Sequence, residues 1–69
     1  MQKLLIKERR TNFKTQSDVA KLIGVELRTY QNKEYETNQF KQNEMFIIAK
    51  HYNKKIDEIF LPTDFMNHE

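Results

Sequence analysis

The stretch "TQSDVAKLIGVELRTYQNKEYE", residues 15–36, holds the chain's single glycine, Gly24, between two runs with helical spacing. Glycine reaches the left-handed backbone region at little cost, so Gly24 is where one helix can stop and the chain turn sharply. Upstream, Asp18 stands three residues after Thr15, the pattern of a capping box, although Asp closes such a box less well than Glu. Val19, Leu22 and Ile23 follow on one helical face with Ala20 beside them. Downstream, Val25 and Glu26 alone separate Gly24 from a second run, Leu27 to Tyr35, with Leu27, Tyr30 and Glu34 at helical spacing. The expectation is two short helices crossing at a tight turn. Ala20 suits the crossing, because a larger or β-branched residue would clash where the helices meet. Val25 is placed to plug the core behind the turn, leaving the second helix proud of the surface.

The flanking sequence predicts more helix. Lys3 to Arg10 consists of helix formers, and Thr11, Asn12 and Phe13 break the run, with Phe13 expected to tuck back into the core. A polar loop spans Glu36 to Gln39. Phe40 then leads into a fourth helix, whose apolar residues Met45, Phe46, Ile48, Ala49 and Tyr52 recur at three and four. Asn53, Lys54 and Lys55 make a turn, Ile56, Ile59 and Phe60 mark a short fifth helix, and Pro62 closes it. The predicted architecture is all-α, a compact five-helix domain over residues 1–61. Residues 62–69 are read as a tail, either a dimerisation arm or a disordered end.

Composition narrows the function. A chain of 69 residues makes one small domain, and at that size folding buries only about 60% of the unfolded surface. Cysteine is absent, which excludes a disulfide or a thiolate site and fits a reducing cytoplasm. The apolar run at the N-terminus is too short for a signal peptide or membrane span. Residues 1–41 carry nine Lys/Arg against five Asp/Glu, whereas residues 42–69 carry three against five. A basic front half suits a polyanionic partner such as nucleic acid, and suits a plain solvated surface about as well. Enzymatic chemistry finds no foothold. One glycine cannot build a phosphate-binding loop, His51 and His68 are too far apart in sequence to suggest a metal site, and Ser17 has no evident histidine partner. No catalytic residue, cofactor or metal is expected. The amphipathic stretch Met45 to Tyr52 is read as core rather than as a membrane-binding face.

Taken in order, Gln16, Ala20, Gly24, Val25, Thr29 and Glu34 resemble the helix-turn-helix of Cro/CI-type regulators, the XRE family. "MFIIAKHYNKKIDEIF" (residues 45–60) is similar to that family's fourth and fifth helices. "RTYQNKE" (residues 28–34) is similar to a sub-group found in phages and mobile elements of low-GC Gram-positive bacteria. The resemblance covers roughly residues 4–61. The chain departs from the family pattern at four places. Tyr30 stands where a β-branched aliphatic is usual and Lys33 where an aliphatic or aromatic is, Glu26 replaces a capping Ser, Thr or Asn, and Gln42 occupies a common aliphatic position.

The resemblance implies a lambda-repressor-like fold and a cytoplasmic transcriptional regulator, most often a repressor, binding the major groove of a palindromic operator as a homodimer. Leu27, Arg28, Gln31 and Asn32 would then contact bases. Arg9, Arg10, Lys14, Gln16, Ser17, Thr29, Thr37, Asn38 and Lys41 would contact the DNA backbone, with one of the two arginines alternatively forming an internal ion pair. Ile56, Ile59, Phe60, Leu61 and Phe65 would form the dimer interface. The alternative function is an antitoxin-type protein-interaction module with autoregulatory DNA binding.

Overall fold

The computed structural model describes residues 1–12 and 14–60, and among them every regular element is an α-helix and no strand occurs. Five helices run in order: α1 (Lys3–Thr11), α2 (Gln16–Ile23), α3 (Leu27–Glu34), α4 (Gln42–His51) and α5 (Ile56–Ile59). α2 packs on α3 and α4, and α5 closes against α1 and α4. Phe13, Leu61, Phe65 and Pro62 lie outside the described residues.

Local chemistry sets the helix ends. The Asp18 N–H donates to Thr15 Oγ1 at 3.1 Å while the Thr15 N–H donates to Asp18 Oδ2 at 2.8 Å, completing the box that starts α2. At the other end Gly24 takes φ +76°, its N–H donating to the Lys21 carbonyl and the Val25 N–H to the Ala20 carbonyl. These two bonds form a Schellman closure, which requires the left-handed residue between them. A Cβ built on Gly24 meets nothing within 4 Å. Backbone conformation alone therefore selects glycine here, not crowding. α4 and α5 begin on Lys41 and Lys55, which have no acceptor to offer, so only the return bonds exist. Glu44 accepts the Lys41 N–H at 2.9 Å and Glu58 accepts the Lys55 N–H at 2.7 Å.

The core joins Leu5 of α1, Val19 and Ala20 of α2, Tyr30 of α3, and Met45, Ile48 and Ala49 of α4 to Phe40, Ile59 and Phe60. Val25 packs against this cluster as expected of a plug, and Ala20 is buried at the crossing. Phe40 joins the two ends of the core by edge-to-face contacts, its ring 6.0 Å from Tyr30 and 5.1 Å from Phe60. Phe46, expected in the core, is instead 55% exposed. Met45, Ile48, Ala49 and Tyr52 fill the inward stripe of α4, and Phe46, one position on from Met45, is rotated about 100° away from it.

Candidate nucleic-acid interface

α3 divides its residues cleanly between two faces. Tyr30, Lys33 and Glu34, spaced at three and four, are buried. Leu27 and Arg28 are exposed, and Thr29, Gln31 and Asn32 are half-buried. The residues expected to read bases thus share the outward side of one helix, because 27 and 31, like 28 and 32, stand one turn apart.

The inward face is held by an unusual density of polar contacts around Glu34, which is only 1% exposed. Arg9 Nε donates to Glu34 Oε2 at 2.9 Å and Arg9 Nη2 to Oε1 at 3.2 Å, a bidentate pair reaching across from α1. The Tyr30 hydroxyl donates to Oε2 at 2.7 Å, and Gln16 Nε2 of α2 donates to Oε1 at 2.8 Å. Burial alone would raise the Glu34 carboxyl, but hydrogen bonds from Arg9, Tyr30 and Gln16 outweigh it and hold it below the usual carboxylate range. The Tyr30 hydroxyl is pushed well above its ordinary value, first by burial and then by its bond to Glu34. One carboxylate therefore ties three helices together beneath the outward face of α3. The chain's start joins the same region, with the Gln2 N–H donating to the Glu34 carbonyl at 2.9 Å and the terminal amine paired with Glu36.

A second buried pair fixes the segment after α3. Lys33 Nζ donates to Glu44 Oε1 at 2.8 Å and to the Gln39 carbonyl at 3.1 Å, and it lies 5.8 Å from the centre of the Phe40 ring. This accounts for a lysine on the inward face of α3. The stem lies by the Phe40 ring and the ammonium meets a carboxylate, so the buried charge is not orphaned. Glu36 supplies the left-handed turn at φ +68°, and the Thr37 and Asn38 N–H groups both donate to the Asn32 carbonyl, at 2.8 and 3.2 Å. The loop carrying Thr37, Asn38 and Lys41 is thereby anchored at each end.

Most of the residues expected to contact the DNA backbone are accessible to solvent. Arg10, Lys14, Thr37, Asn38 and Lys41 are exposed, and Gln16, Ser17 and Thr29 are half-buried. Arg9 is not among them. It is 8% exposed, its guanidinium is occupied by Glu34, and its remaining Nη1 donates to the Lys14 carbonyl at 3.1 Å. Of the two arginines it is Arg9 that makes the internal pair, and it shapes the α1–α2 loop rather than gripping phosphate. The dimer expectation needs a similar correction. Ile59 and Phe60 are 0% exposed within the chain's own core and offer nothing to a second copy. Ile56 is half-buried against that core, and Leu61 and Phe65 lie outside the described residues. Among the described residues the large exposed apolar side chains of α4 are Phe46 and Ile47.

Sequence reasoning missed Tyr30 and Lys33 as supports of the site. The i, i+4 spacing of Tyr30 and Glu34 was available to suggest their contact, whereas nothing local announces the Lys33–Glu44 pair. Comparison of the chain with protein-family models, characterised proteins and solved structures finds no match. Among the described residues no helix is long and apolar enough to cross a membrane, and no cluster of three or more His, Cys, Asp or Glu is placed to hold a metal ion.

Proposed function

We propose that this chain is a sequence-specific DNA-binding regulator of the Cro/CI type, most simply a cytoplasmic repressor that seats α3 in the major groove. The observation that carries the reading is the division of α3. Its inner residues are locked by buried carboxylates, Tyr30 and Glu34 in the hub and Lys33 on Glu44, and its outer residues are Leu27, Arg28, Gln31 and Asn32. Eight helical residues extend about 12 Å, enough to lie along a groove about 12 Å wide. Arg28 suits the O6 and N7 acceptors of guanine, Asn32 suits adenine, and Leu27 suits the methyl of thymine. Arg10, Lys14 and Lys41 supply cations for phosphate, and such contacts set register without reading sequence.

One helix of this length reads only a few base pairs, which supports binding as a two-fold pair with half-sites about 34 Å apart. With Ile59 and Phe60 committed to the core, Phe46 and Ile47 are the apolar surface on α4 left for pairing copies. Steric occupation of an operator then blocks transcription.

The test is selection of duplexes from a random pool, followed by affinity measurement across salt. Three neutralised phosphates per protomer, one each for Arg10, Lys14 and Lys41, predict a log–log slope of about −2.7 per protomer. Arg28→Ala should relax preference at one base pair, and Lys14→Ala should weaken all sequences alike. Selection of no sequence refutes the reading, and equal loss on specific and random DNA for Arg28→Ala refutes the role assigned to that residue. An antitoxin-type module is distinguished by tight capture of a toxin encoded beside it through a surface other than α3.

A further inference from the structure

Gln31 has one feature that the division of α3 does not explain: its amide is held in a single orientation by a relay that starts in the core. Glu34 is an ionised carboxylate and can only accept hydrogen bonds. Gln16 must therefore turn its Nε2 toward Glu34, at 2.8 Å, which leaves its Oε1 facing outward. That oxygen can only accept, and it accepts from Gln31 Nε2 at 3.0 Å. Arg9 and Tyr30 also only donate to Glu34, Arg9 Nε and the Tyr30 hydroxyl to Oε2 and Arg9 Nη2 to Oε1 beside Gln16, so the hub offers no donor that would let Gln16 flip. The polarity passes outward through two amides.

We infer that Gln31 is thereby set to recognise adenine, accepting from its N6 amine through Oε1 and donating its one remaining Nε2 hydrogen to N7. This rests on the proposed binding of α3 in the major groove. The two edges of the amide are not equivalent once Gln16 has taken a hydrogen. Adenine offers a donor and an acceptor side by side in the major groove and matches what is left. Guanine offers two acceptors, O6 and N7, and would set O6 against Oε1. Cytosine can satisfy Oε1 alone, and thymine presents only an acceptor and a methyl. Gln16 is a positioning residue here: it biases the base preference of another side chain.

The experiment starts from duplexes selected by the wild-type protein and asks which position Gln31→Ala relaxes. The expected result is one A·T pair, with a loss of about 5- to 150-fold on that pair. Replacing its adenine by purine, which lacks the N6 amine, should cost the wild-type protein a similar factor and cost Gln31→Ala little. Gln16→Met removes the relay while keeping the side chain's bulk. It should narrow the adenine-over-guanine ratio at that position and leave the ratios at other positions unchanged, whatever it does to total affinity. A G·C pair at the relaxed position, no relaxed position, indifference of the wild type to loss of the amine, or an unchanged ratio in a folded Gln16→Met protein each overturns the inference while leaving the regulator reading intact. If Gln16→Met does not fold, the purine substitution on the wild-type protein decides alone. Failure of the wild-type protein to select any duplex overturns both.

Discussion

Breaking the Arg9–Glu34 pair is the perturbation with the clearest expected size. Glu34 is 1% exposed and Arg9 8% exposed, so removing either partner strands the other's charge away from water. Loss of one member of a buried pair costs about 3–5 kcal/mol, against about 0–1 kcal/mol for a pair in solvent. A chain of 69 residues at ordinary specific stability holds only about 3–10 kcal/mol in all. Arg9→Met should therefore remove a large share of the stability, lowering the midpoint in urea with little change in slope, whereas Arg10→Met should stay within about 0.5 kcal/mol of wild type. Glu34→Gln should approach the Arg9→Met loss, since an amide nitrogen would face a guanidinium donor. Combining Arg9→Met with Glu34→Gln should show a coupling of about 1–3 kcal/mol, because the second change acts on a partner already lost. Equal and small effects of Arg9→Met and Arg10→Met would refute the reasoning, since neither arginine would then carry a desolvated charge.

The remaining expectations are simpler. Glu34 has a depressed carboxyl in the folded state, so its contribution is present above the unfolded carboxyl's pKa of about 4.3 and is lost as pH falls through the lower folded value. Acid titration of unfolding free energy should show that loss, and Glu34→Gln should flatten it. Lys33→Met strands Glu44 in the core and should cost about 3 kcal/mol, with Lys33→Met combined with Glu44→Gln recovering part of it in denaturant melts. Gly24→Ala should cost about 1 kcal/mol from its left-handed backbone alone, since its new methyl meets no neighbour within 4 Å; a much larger loss would reveal crowding at the turn. Phe46→Glu should leave stability within about 0.5 kcal/mol yet shift the sedimenting species toward monomer, and an unchanged dimer would exclude α4 as the pairing face.

The features legible in residue order are those whose causes lie within a few residues. The box at Thr15 and Asp18, the left-handed stop at Gly24 and the four-residue spacing of Tyr30 and Glu34 need no distant partner, so the α2–turn–α3 unit and the outward set on α3 follow from the sequence. The tertiary structure alone decided which of two adjacent arginines is buried. Arg9 and Arg10 are chemically identical, and only the position of Glu34, 25 residues away, separates them. It also decided that Lys33 is a core residue, that Ile59 and Phe60 face inward, and that Phe46 faces out. Burial of a side chain depends on which helix arrives to cover it, and that is a non-local fact no short window contains.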